Sequence, residues 1–184
     1  MNKNKVKKLV GELIRESGFD PEEERLRKTP ERVATMLKEI FASSKKDPRK
    51  ELHVFKTSVK NEIILIKDIP FFSFCEHHLL PFFGMVHIAY IPRNGLIAGF
   101  SNFVSLVKVV SRRLQLQERM NDEIVDALMD ILKPKGAAVV VEARHLCVEM
   151  RGEKQPGTLI ITSSIRGKMK QETTQEMIMK MVRG

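Results

Sequence analysis

The segment Ser73-Phe74-Cys75-Glu76-His77-His78-Leu79-Leu80-Pro81-Phe82-Phe83 sets a thiol and two imidazoles within the positions 75–78, and the only other cysteine, Cys147, lies far downstream in Arg144-His145-Leu146-Cys147. Cys75 and His78 stand three apart, a spacing at which one turn aims both side chains at a common point, as in half of a tetrahedral zinc site. Two ligands do not hold the ion, so a metal reading requires a fold that brings Cys147 back to that turn. Three protein ligands would leave the fourth position to water, which marks a catalytic rather than a structural zinc. Without a metal, the same cysteines read as small buried hydrophobes, and the spacing alone leaves both readings open.

With 184 residues, 42% of them apolar, the chain is long enough for one well-buried domain with a small helical annex. The expected division is a helical region over 1–50 and a catalytic domain over 51–184. The N-terminus Met1-Asn2-Lys3-Asn4-Lys5-Val6-Lys7-Lys8 is basic, yet no uninterrupted apolar stretch follows it. No run approaches the roughly 18 apolar residues of a membrane span. A cytoplasmic protein with no membrane partner is the expectation, and its two cysteines read as reduced thiols or metal ligands rather than a disulfide. The net charge of +9 draws polyanions, and it suits a small phosphorylated substrate as well as nucleic acid. The cations are scattered over Lys3 to Lys8, Lys45 to Lys50, Arg112-Arg113 and Arg166 to Lys170, with no basic strand carrying the aromatic residues that stack unpaired bases. With no Trp and one Tyr, the reading is no nucleic-acid partner.

Along the chain, Val6, Leu9, Val10, Leu13 and Ile14 recur at helical spacing between Lys5 and Ser17, and Gly18 supplies the stop. A second helix opens at Thr29 as N-cap and Pro30 as first helical residue, then runs through Val33, Met36, Leu37 and Ile40 to about Ala42. The polar stretch from Ser43 to Pro48 is a loop. Short β-rich runs follow at Glu62 to Lys67 and Met85 to Ile91, with Cys75 to Pro81 as the loop between them and Pro92-Arg93-Asn94-Gly95 as a turn. Ser101 reads as the N-cap of a helix through Val104, Leu106, Val107 and Val110, and a further helix spans Gln117 to Leu132, stopped by Lys133-Pro134-Lys135-Gly136. A third strand from Ala137 to Val148 and a fourth from Thr158 to Thr162 complete a β-β-α-α-β-β order, followed by a short helix from Thr173 to Val182. On that third strand His145 and Cys147 are two apart, which projects both from one face. A strand histidine is ordinarily satisfied by a hydrogen bond; beside a candidate thiolate ligand it becomes a candidate for proton transfer. His53 and His87 have no such neighbour and are left without a role.

Three pieces taken together, Cys75-Glu76-His77-His78-Leu79-Leu80-Pro81-Phe82-Phe83-Gly84, Gln115-Leu116-Gln117-Glu118-Arg119 and Met150-Arg151-Gly152, resemble GTP cyclohydrolase I. The likeness extends from Thr29 through Gly167, and the combination of C-E-H-H, Q-x-Q-E-R and H-x-C-x-x-x-R-G is far more specific than any one piece. The resemblance implies an α+β tunnelling fold (T-fold), a β-β-α-α-β-β antiparallel sheet with N-terminal helices whose subunits join into a barrel. In this family that is a homodecamer of two stacked pentamers with active sites between subunits. Such joining pairs strands that would otherwise be open edges. It implies conversion of GTP to 7,8-dihydroneopterin triphosphate with release of formate. By motif position, zinc falls on Cys75, His78 and Cys147, with His77 and His145 as proton-transfer groups. Glu118 accepts from the guanine N1–H and 2-amino group, Gln117 lies near the base, and Ser101 contacts the ribose and phosphate region. Arg151 and Arg32 match positions that bind the triphosphate. Apart from the resemblance, Glu118 reads as a solvated carboxylate at a helix start, and Ser101 and Arg32 as capping and surface residues.

Three positions depart from the family pattern. Thr35, Asn102 and Ser105 stand where the family carries phosphate-binding cations, and Arg166 or Lys108 is the candidate replacement. The expectation is that ring opening is kept while phosphate recognition is altered, so that a differently phosphorylated guanine nucleotide becomes an alternative substrate. A non-catalytic zinc and purine- or pterin-binding protein is the alternative of another class, and formate release separates the two. A tunnelling-fold nitrile reductase is a further alternative, but that family uses a nucleophilic cysteine without the C-E-H-H and H-x-C set.

Overall fold

The computed structural model describes residues 1–58 and 62–183, with nothing stated for the side chain of Arg183. The chain forms two compact units, Met1–Ala42 and Ser43–Gly184. The first holds α1 (Lys3–Glu16) and α2 (Thr29–Ile40). Asn2 caps α1 by accepting the Lys5 N–H at 3.0 Å, and Gly18 at φ 85° turns the chain away after its end. Glu31 on α2 takes Lys3 and Lys7 at 3.3 and 3.8 Å, which ties the two helices within this unit. Thr29 does not cap α2. Lys28 holds that position in helical backbone with no side-chain cap, because the preceding turns already use the local groups: Leu26 N–H donates to Glu23 O and Thr29 N–H to Leu26 O, each at 2.8 Å.

The second unit opens with a 3₁₀ turn at Pro48–Glu51 and then β1 (Val54–Lys56), β2 (Ile64–Cys75), β3 (Pro81–Ile91) and β4 (Leu96–Ala98). α3 (Phe100–Ser111), β5 (Leu114–Gln115), α4 (Gln117–Ile131), β6 (Gly136–His145) and α5 (Leu146–Glu149) follow, with β7 (Leu159–Gly167) and α6 (Glu172–Arg183) completing the chain. The main sheet has the order β5-β2-β3-β6-β7, antiparallel except where the two-residue β5 runs parallel to β2. Leaving aside the short β1, β4 and β5, the order is the expected β-β-α-α-β-β, an α+β fold. The short pair β1 and β4 escapes sequence reading, since three residues carry too little alternation to register.

One sheet face is the core. Phe71, Phe82, Val86, Val139, Val141 and Ala143 point at α3 and α4, which answer with Phe103, Leu106, Val110, Met120, Ile124 and Leu128. Each of these Phe, Val, Leu, Ile and Met side chains stabilises the fold by about 1.5–3 kcal/mol through burial. Among the described residues the opposite face is covered at one end, where α6 brings Ile178 and Val182 onto Ala89 and Ala138. Toward the other end Phe72, Met85, Leu159 and Ile161 remain 71%, 41%, 52% and 50% exposed. No helix among the described residues is long and apolar enough to cross a membrane.

Further boundaries differ from expectation: β3 starts at Pro81 rather than Met85 and β7 runs on to Gly167 rather than Thr162, and three more have a visible cause. β2 does not stop at Lys67: a bulge between Ile66 and Ile69, with Asp68 at φ 60°, lets it continue to Cys75. Ser101 is not a cap; Gly99 is, and Ser101 lies inside the first turn of α3. β6 ends at His145 rather than Val148, because neither neighbour continues. Its last pair with β3 is Phe82↔His145, beyond which β3 has only Pro81 without an amide hydrogen, and β7 starts opposite Arg144. The chain then closes its own bond, Met150 N–H to Leu146 O at 3.0 Å, and Cys147 rides on that single turn instead of a strand face.

His87 lies on the partly covered face, 3% exposed, and accepts the Asp68 N–H at Nδ1 at 3.2 Å. Its proton therefore sits on Nε2, which has no partner among the described residues. Burial pushes its pKa below the ordinary value; Glu142 and Asp68 pull it back in part, and Lys67 pushes it down. With the folded value depressed, the stability tied to neutral His87 is fully present above the unfolded value of about 6.5 and is lost as the pH falls below it. His87→Gln should therefore lose less stability than the parent between pH 7.5 and 5.5 in urea unfolding. An equal loss would clear His87 of that role.

Candidate metal centre

Cys75 is the last residue of β2, and the chain reverses immediately after it. Leu79 at φ 53° allows the tight return, with Leu79 N–H donating to Cys75 O and Cys75 N–H to Leu80 O, each at 2.9 Å. This turn swings His78 Nδ1 to 4.0 Å from Cys75 Sγ. The neighbouring strands bring up the third group. β3 leaves the turn at Pro81, pairs Phe82 with His145, and so delivers the single turn of α5 with Cys147. The ligand atoms of Cys75, His78 and Cys147 lie within 4.8 Å of one another. Cys75 is buried, Cys147 half-buried and His78 exposed, so the group opens to solvent on one side.

Burial pushes the Cys147 thiol above its ordinary pKa, the facing Cys75 pushes it the same way, and Arg151 pulls it back. A divalent cation would supply the positive charge that favours the Cys147 thiolate there. Two sulfurs and an imidazole nitrogen are the soft and borderline donors that zinc takes, so the residues present fit that ion. Arg151 stands at the rim, Nη1 2.8 Å from His78 Nε2.

Beside this group His145 is held from two directions. Its ring lies on Phe82, centroids 4.6 Å apart and planes 10° from parallel, and its Nε2 is 2.7 Å from Gln117 Oε1. Gln117 is 2% exposed and its Nε2 donates to Val141 O and Ile160 O, both at 3.0 Å. With both amide hydrogens committed, Gln117 has only its oxygen left for the histidine, so His145 donates from Nε2 and keeps Nδ1 as the exchangeable nitrogen. Burial holds the His145 pKa below its ordinary value, and Glu118 pulls it upward. Glu118 itself is exposed in the first turn of α4. His77 is exposed in the turn, its ring 6.2 Å from that of His78 and nearly perpendicular to it.

One end of the sheet thus gathers Cys75, His77, His78, Cys147, Arg151, His145, Gln117 and Glu118. Gln117, expected near a bound base, stands behind His145 through its three bonds. Ser101 sits at the other end: β3 carries the chain away from the turn, and α3 starts there and returns toward β5. From Ser101 to Ser111 that return covers roughly 15 Å at the helical rise. Arg32 and Thr35 lie on α2 of the first unit, where Thr35 Oγ1 donates to Glu31 O at 2.9 Å. Arg166, a candidate replacement cation, is bound by Asp122 at 2.8 Å and Asp126 at 3.1 Å, and it pairs with Ala137, eight residues up β6 from His145. Phe82 as the floor under His145 had no sequence signal, because only the strand register puts them face to face.

The family model for GTP cyclohydrolase I matches residues 6–183. A protein named GTP cyclohydrolase 1 from Caldanaerobacter subterraneus subsp. tengcongensis is 49% identical over 167 residues, covering 91% of this chain and 89% of that protein. The protein of that name from Acetivibrio thermocellus is 44% identical over 185 residues, covering 100% of this chain and 99% of its own. Another so named, from Streptococcus mutans serotype c, is 44% identical over 179 residues and covers 96% and 93%.

Proposed function

This chain belongs to the GTP cyclohydrolase I family, and on that premise we propose that it is a zinc-dependent GTP cyclohydrolase I. It opens the guanine imidazole ring of GTP at C8, releases that carbon as formate and yields 7,8-dihydroneopterin triphosphate. The observation that carries the reading is the convergence of Cys75, His78 and Cys147 within 4.8 Å beside an oriented His145.

Held by Cys75, His78 and Cys147, zinc would supply activation of water at neutral pH for the hydrolysis at C8. The remaining work falls to side chains. His145, its Nε2–H fixed on Gln117, exchanges protons with the opening ring at Nδ1, and burial keeps it neutral and ready to accept one. His77, in the turn beside the ligand His78, is the second proton-transfer group. Glu118 accepts from two guanine donors, a pairing that adenine cannot offer. Arg151 at the rim receives phosphate through its guanidinium fork.

Ser101 and Arg32 complete the substrate site from a neighbouring subunit in this proposal. The support is geometric for Ser101, which lies at the far end of its own sheet, while Phe72, Leu159 and Ile161 offer apolar surface for assembly. A homodecamer of two pentamers in the cytoplasm is the proposed form. Of the candidate replacement cations, Arg166 is engaged by two aspartates, which supports altered phosphate recognition.

Purified protein is expected to carry one zinc per chain, to elute at the mass of the decamer, and to release formate from GTP with a fluorescent oxidised pterin as co-product. Rates with GTP, GDP, GMP and guanosine should fall less steeply than a full phosphate cradle would give. A strong triphosphate preference would sink the altered-recognition reading, and zinc binding without formate would leave a binding protein.

A further inference from the structure

The two halves of the ligand set are each tied down by an arginine–glutamate pair that plays no part in the reading above. Glu76 lies in the turn between Cys75 and His78, and its Oε2 accepts from Arg119 Nη2 at 2.5 Å. Arg119 has a fixed support, since its Nε donates to Gln115 Oε1 at 2.7 Å. Gln115 is fully buried and in turn donates to Glu123 Oε2 at 3.0 Å. The chain from α4 through Gln115 to the turn is therefore continuous. On the other side Arg144 grips Glu149 through two bonds, Nε to Oε1 at 2.7 Å and Nη2 to Oε2 at 2.6 Å. The Glu149 side chain is only 7% exposed, and the Arg144 guanidinium lies 5.9 Å over the Phe83 ring. These two residues bracket the four-residue α5. A helix of one turn has no stability of its own, so external ties must set where its cysteine points.

We propose that Glu76–Arg119 and Arg144–Glu149 are positioning pairs for the metal centre, the first orienting the Cys75–His78 turn and the second orienting Cys147. The inference rests on the zinc reading and goes beyond it in assigning four residues that touch neither metal nor substrate. The preorganised ligand set loses its metal slowly because neither half can swing away without breaking a charged, bidentate or supported contact.

The test is the rate at which zinc passes from the folded protein to a chromogenic chelator, together with the absorption of the cobalt(II)-substituted protein. Arg119→Gln and Glu149→Gln should each release zinc about tenfold faster than the parent, and each should shift the thiolate-to-cobalt band. Arg49→Gln, which removes an equally short pair with Asp130 at 2.7 Å, should do neither. Arg119→Lys, still able to reach Glu76, should restore part of the slow release. Release within twofold of the parent and an unmoved band in either variant would overturn that pair's role. A parent protein that binds no zinc would instead sink the metal reading itself.

Discussion

Replacing Cys147 by Ala is expected to abolish formate release from GTP, by roughly a thousandfold or more, because water activation at neutral pH depends on a metal that two remaining ligands cannot hold. The change removes one sulfur from a half-buried site on a single turn, so the fold should survive it at a cost of about 1 kcal/mol. The expected result is a protein with the parent's circular dichroism and melting profile, without zinc by elemental analysis and without turnover. Retained zinc at one ion per chain together with lost activity would move Cys147 from the ligand set to the reacting centre. Retained activity would remove the hydrolytic account altogether.

The largest expected effect on stability belongs to Gly84→Ala. A Cβ built on Gly84 would stand 1.8 Å from the carbonyl oxygen of Glu142 and 2.7 Å from Cα of Ala143, and both are backbone atoms of β6 that have no rotamer to give way. β3 and β6 are joined over ten residue pairs from Phe82↔His145 to Ile91↔Gly136, so the strand cannot be displaced at one point without loosening its neighbours. A loss of about 4 kcal/mol or more is expected, read as a shift in the urea midpoint or as failure to recover folded protein. Gly11, in α1 with nothing within 4 Å of its would-be Cβ, provides the contrast. Alanine there should stabilise slightly, by about 0.5–1 kcal/mol. Gly84 is two residues from Phe82, which supports the His145 ring, so a partly folded Gly84→Ala protein should also show a weakened site.

The strand and helix order was legible because β3 and β6 are short β-rich apolar runs and the core-facing residues recur at helical spacing in α3 and α4. Cys75 and His78 were legible from their spacing, and Cys147 followed from being the only thiol left. What local pattern did not reveal was decided by partners. β6 stops at His145 because β3 reaches only Pro81 there, so the reading that His145 and Cys147 share a strand face placed them together for the wrong reason. Thr29 and Ser101 have the chemistry of caps, but the turns before Thr29 and the extended backbone of Gly99 take that role. Gln117 carried a motif signal without a direction. Only the Val141 and Ile160 carbonyls, on two different strands, show that it faces inward to hold a histidine.

The half-bare sheet face has a consequence for how damage in this protein would look in the laboratory. A lone chain presents Phe72, Met85, Leu159 and Ile161 to solvent beside β7, whose outer rim has no partner strand among the described residues. Such a surface adheres to copies of itself without order when the proposed assembly is denied. Substitutions that only disturb docking between copies would therefore surface as inclusion bodies and low yield rather than as a tidy single-chain species. The soluble fraction would then report association, while a dissolved single chain would keep the Cys75, His78 and Cys147 group but lack what a neighbouring copy adds to the substrate site.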